Sequence, residues 1–156
     1  MALSQVPTTA EVKSRANPLK PEQVNPRYGI TASVPLPTPE QAEAAYEADI
    51  AQRIVEQAII AEHTLLAHFT SDEMAAFEDE QNDAVEIAIK LLTVGDLYDS
   101  AGQLNERYQA ESERMMKRGY ALLDALVKRQ GVTDSELASA LVTPRTHGGT
   151  FDVFLA

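Results

Sequence analysis

The sequence contains no cysteine and no tryptophan, and only 7 glycines among its 156 residues. Without thiols there is no disulfide, no thiolate nucleophile and no cysteine-ligated zinc or iron–sulfur centre, so stability must come from a packed core. A single domain of this length can bury roughly 70% of its unfolded surface, which is enough for such a core. No run approaches the roughly 18 apolar residues of a membrane span, and Met1-Ala2-Leu3-Ser4-Gln5 lacks both the basic start and the apolar stretch of a secretion signal. The expectation is a soluble protein of the cytoplasm or of a virion. No G-x-S-x-G elbow, P-loop or dinucleotide fingerprint occurs. The chain is therefore expected not to be an enzyme and to use no cofactor.

Helix breakers are unevenly spread. Between Pro39 and Gly95 there is neither Gly nor Pro, and the segment opens with a Thr N-cap, a Pro at the first helical position and a capping-box Gln in Thr38-Pro39-Glu40-Gln41. Tyr46, Ile50, Ile54, Ala58, Ala61, Leu65 and Phe69 then recur three or four apart, with Val55, Ile59 and Leu66 widening the stripe, which predicts a long helix with one broad covered face. Thr70-Ser71-Asp72-Glu73 starts a second helix that carries Met74, Phe77, Val85, Ala88 and Leu92 inward and ends or kinks at Gly95. A third is expected from Asp96 to Gln130, with Gly102 or Gly119 marking a bend or a close crossing. Thr133-Asp134-Ser135-Glu136 caps a short fourth helix stopped by Pro144. The predicted fold class is all-α: an elongated bundle of three long helices and one short one over residues 38–143.

The two ends read differently. Residues 1–37 hold Pro7, Pro18, Pro21, Pro26, Pro35 and Pro37, predicting an extended arm with no core of its own. Residues 144–156 form a tail in which Thr150 to Leu155 is β-prone, and a lone strand needs a partner. Pro18, Pro21, Pro26, Arg27 and Tyr28 of the arm and Phe151, Val153, Phe154 and Leu155 of the tail are accordingly the expected partner-binding residues.

The net charge of −11 is concentrated in the middle: residues 1–37 carry four bases and two acids, residues 38–112 three bases and 17 acids, residues 113–156 six bases and five acids. An acidic body repels phosphates, which argues against direct nucleic-acid binding by the bundle. Asp79, Asp83 and Glu86 share one side of a helix with Asp72 two turns earlier, but the D-x-D-x-D-G pattern of a calcium loop is missing, and a solvated face or a surface for a basic partner is the simpler reading. His63 and His68 are five apart and neither completes a Glu-x-x-His pair, so a di-iron site is not expected.

Two alternatives stand beside the main expectation. Glu40/Glu43 and Glu80/Asp83 have E-x-x-E and E-x-x-D spacing, and in this the chain resembles the all-α nucleotide pyrophosphohydrolases, whose helices of that kind bind Mg²⁺. The resemblance implies a metal-dependent nucleotide hydrolase, although Glu40 and Glu43 fall in the first turn of their helix. The other alternative is a regulatory module presenting its acidic face to a basic protein. The favoured expectation is a non-enzymatic structural or assembly protein acting in multiple copies, its partners being copies of itself and other proteins of a larger complex. A helical body with extended arms is similar in kind to bacteriophage head, connector and tail components, an analogy of build without a residue motif.

Overall fold

The structure is a computed structural model and describes residues 3, 5–17, 19–24, 38–102 and 105–129. Five helices follow in order: α1 (Thr9–Arg15), α2 (Pro39–Leu66), α3 (Ser71–Ala75), α4 (Asp79–Gly102) and α5 (Glu106–Lys128), with a 3₁₀ turn at Pro21–Gln23 after α1. The fold is an all-α bundle. α4 packs along most of α5, α2 lies against α4, and α1 sits across α2 and α4. Phe69, just past the end of α2, meets Phe77, just before the start of α4, so the two helices run antiparallel, and the turn at Asn105 reverses the chain again into α5.

The starts of α2 and α3 fall where the sequence places them. The Gln41 N–H donates to Thr38 Oγ1 at 3.2 Å while the Thr38 N–H donates to Gln41 Oε1 at 2.9 Å. Thr70 and Glu73 make the same reciprocal pair. The expected second helix, however, is broken after one turn. Phe77 packs edge-on against Phe69 with ring centroids 5.1 Å apart, its carbonyl accepts from Asn82 Nδ2, and the Glu78 N–H donates to Gln81 Oε1, so the chain turns and caps a fresh helix at Asp79.

Gly95 does not end α4, which continues to Gly102. Here the missing side chain serves packing: a Cβ at Gly95 would lie 2.7 Å from Met116 Cγ and 3.2 Å from the Ser112 carbonyl, so α5 can approach only because it is absent. The third helix accordingly begins at Glu106 rather than Asp96, with Asn105 as its N-cap. The expected short helix after residue 133 and the C-terminal tail lie outside the described residues.

The N-terminal segment also departs from the expectation of an extended arm. Residues 8–16 hold a helix with its own capping box, in which Thr8 and Glu11 bond reciprocally. Val12, Ala16, Leu19 and Val24 are buried in the core that α2, α4 and α5 build. Lys13 pairs with Glu43 and Glu47 of α2, and Lys90 of α4 pairs with Glu11. The prolines of this region flank the helix instead of interrupting it, and a single apolar face of about two turns suffices because the bundle supplies the rest of its core.

Candidate functional site

α2 distributes its residues against hydropathy, and this marks its outer face as the candidate site. Tyr46, Ile50, Ile54, Ala58, Ala61 and Leu65 are buried as the spacing predicts. Val55, Ile59 and Leu66 do not widen that stripe. They are 42%, 43% and 40% exposed, and Ile60 is 40% exposed. Successive steps of four and seven residues put Val55, Ile59 and Leu66 on one line, which Ala44, Ala48 and Ala51, all exposed, extend toward the helix start.

The inner face holds Asp49, Arg53 and Gln57, one turn apart, where apolar side chains would be expected. Arg53 is fully buried. Its Nε donates to Asp49 Oδ2 at 2.8 Å, and its Nη1 crosses to α4, donating to Asp96 Oδ2 at 2.6 Å and to the Asp96 carbonyl at 3.1 Å. Two carboxylates around one guanidinium offset the cost of desolvating it, and the planar fork fixes the register of α2 on α4. Arg53 Nη2 and the Tyr46 hydroxyl are buried without a hydrogen-bond partner among the described residues. Burial pushes the Tyr46 phenol above its ordinary value, which keeps it neutral. No sequence signal foretold this cluster. An Asp-x-x-x-Arg pair on a helix is commonest on exposed faces, and Asp96 lies 43 residues away.

The four carboxylates of the hydrolase alternative do not converge. Arg53 and Asp96 are level with each other on antiparallel helices. Glu40 and Glu43 lie about 15 to 20 Å from that level toward one end, and Glu80 and Asp83 about 20 to 24 Å toward the other, at about 1.5 Å per residue. Glu43 is engaged by Lys13. Asp72, Asp79 and Asp83 are exposed and Glu86 is half-buried, and among the described residues no group of three or more His, Asp or Glu side chains is placed to hold a metal ion. His63 and His68 are exposed.

Of the expected partner-binding residues, Pro21 opens the 3₁₀ turn and is half-buried. Pro18, Pro26, Arg27, Tyr28, Phe151, Val153, Phe154 and Leu155 lie outside the described residues. None of the described helices is long and apolar enough to cross a membrane. The fold and this face define the class: a small all-α bundle with a long helix that carries a row of exposed apolar side chains on its outward side. Comparison with protein-family models, curated proteins and solved structures finds no match to the chain.

Proposed function

We propose that the protein is a non-enzymatic structural component that works in multiple copies inside a larger protein assembly, with a virion head, connector or tail as its setting. The observation that carries this reading is the outer face of α2. Three large aliphatic side chains, Val55, Ile59 and Leu66, each at least 40% exposed, line one side of the second half of this helix, while polar groups are buried on its opposite face. A grouping of this kind on a surface marks contact with another protein, whereas isolated apolar residues need no explanation. Ile87 and Tyr120, both 47% exposed, belong to other helices and are not part of the line.

The test is the mass of the full chain by light scattering coupled to gel filtration, at concentrations from micromolar to millimolar. The expected result is a defined oligomer that Val55→Glu and Ile59→Glu together dissociate while the helical circular dichroism signal is unchanged. A monomer throughout that range, in wild type and variant alike, removes the proposal.

A further inference from the structure

Five of the chain's 13 basic side chains line two recesses that have one residue in common. The first, of about 670 Å³, lies between α1, α4 and α5, with Glu11, Arg15, Lys90 and Arg118 as its charged walls. The second, of about 340 Å³, is walled by Arg15, Arg107, Arg114 and Glu111, with Tyr98 and Tyr108 behind them. Together the linings carry five bases and two acids, in a chain whose net charge is −11.

Both acids are already engaged. Lys90 pairs with Glu11 at 3.1 Å, and Arg114 with Glu111 at 2.7 Å. Arg15 and Arg107 make no ion pair among the described residues, so the excess positive charge centres on them. Gathering like charges costs free energy that a bound anion recovers.

We propose that the two recesses form one site for a compact polyphosphate anion, held chiefly by Arg15 and Arg107. Guanidinium forks match the geometry of phosphate oxygens and bond them two at a time, and four of the five bases are arginines. Arg15 belongs to both walls, so a molecule with linked phosphates can occupy both recesses, whereas a single phosphate fills only one. The volumes fall in the range of small-ligand sites, about 300 to 1,000 Å³. An extended polyanion such as a nucleic acid would run beyond the recesses over the acidic remainder of the surface and be repelled there. The inference is independent of the proposed assembly role, since it uses a different face.

The test is isothermal titration calorimetry of the full chain with inorganic tripolyphosphate and, separately, inorganic phosphate, in metal-free buffer at physiological ionic strength. Saturable binding of one tripolyphosphate per chain is expected, at least tenfold tighter than phosphate. Arg15→Gln and Arg107→Gln should each weaken it tenfold or more, and Lys128→Gln, at the far end of α5, should leave it unchanged. Both arginines are exposed, so unchanged melting temperatures are expected for their variants. Absence of saturable binding, equal affinity for phosphate and tripolyphosphate, or undiminished binding by Arg15→Gln would each overturn the proposal.

Discussion

Gly119 of α5 faces Leu92 of α4 so closely that a Cβ at Gly119 would lie 2.8 Å from Leu92 Cγ and 3.1 Å from the Ala88 carbonyl. Gly95 does the same from the other helix, so each helix supplies one notch for the other. Leu92 is 1% exposed, and its branch point as well as one terminal methyl, Cδ2 at 2.9 Å, is in the way, with the Ala88 carbonyl behind. Gly119→Ala should therefore lower stability by about 1 kcal/mol net, with overpacking at about 1 to 3 kcal/mol exceeding the roughly 1 kcal/mol gain in helix propensity. The check is urea unfolding, where Gly102→Ala, whose Cβ would meet only ordinary contacts at 3.4 Å, should instead be neutral or stabilising.

Arg53 connects α2 to α4 from a position with no access to water. Arg53→Ala leaves two carboxylates without their shared cation, and removal of one partner from a buried ion cluster costs about 3 to 5 kcal/mol. Arg53→Lys should recover only part of this, because an ammonium cannot reproduce the fork that spans Asp49 and Asp96. Denaturant midpoints for the two variants at unchanged m-value provide the measurement, and equal stability of Arg53→Ala and wild type would refute the assignment.

The cap of α1 is sensitive to acid. Hydrogen bonds from the Thr8 backbone and hydroxyl, followed by that from Lys90, hold the Glu11 carboxyl at about 2, below its ordinary 4.5. A carboxylate with a depressed folded-state value contributes stability above its unfolded value, and that contribution is lost as pH falls from about 4.5 toward 2. The Thr70 bonds lower Glu73 in the same sense. Melting temperature should thus fall more steeply between pH 5 and pH 2 in wild type than in Glu11→Gln; parallel curves would show that the α1 cap is not coupled to folding. Lys13 has the opposite sign. Its value is raised by Glu43 and Glu47, so its contribution is intact below about 10.5 and is lost only as pH rises beyond that.

α1 is part of the core and not a detachable arm. Deleting residues 1–24 removes the buried side chains of Val12, Leu19 and Val24, at about 1.5 to 3 kcal/mol for each large apolar group, and uncovers what they pack on. A lower melting temperature and broader unfolding than in the full chain are expected. Val12→Asp should reproduce most of the loss with the chain intact, and an unchanged melting temperature in both would contradict the packing of α1.

Local chemistry decided what was readable from the sequence. Capping pairs at Thr38/Gln41 and Thr70/Glu73 act within four residues, and the step of three and four from Tyr46 to Leu65 follows from helix geometry alone, so the all-α class, the start of α2 and most of its inner face could be derived without coordinates. The packing of one helix on another decided the rest. Whether Gly95 ends a helix or lets a neighbour approach depends on Ser112 and Met116, and whether Arg53 faces solvent or the core depends on Asp96. Whether Val55, Ile59 and Leu66 are covered depends on which elements α2 meets, and whether a proline-flanked segment folds depends on the core that receives Val12. The sequence by itself determined the all-α class and the starts of α2 and α3, because those energies are local. Only the tertiary structure decided what each helix buries, because burial belongs to pairs of residues far apart in the chain.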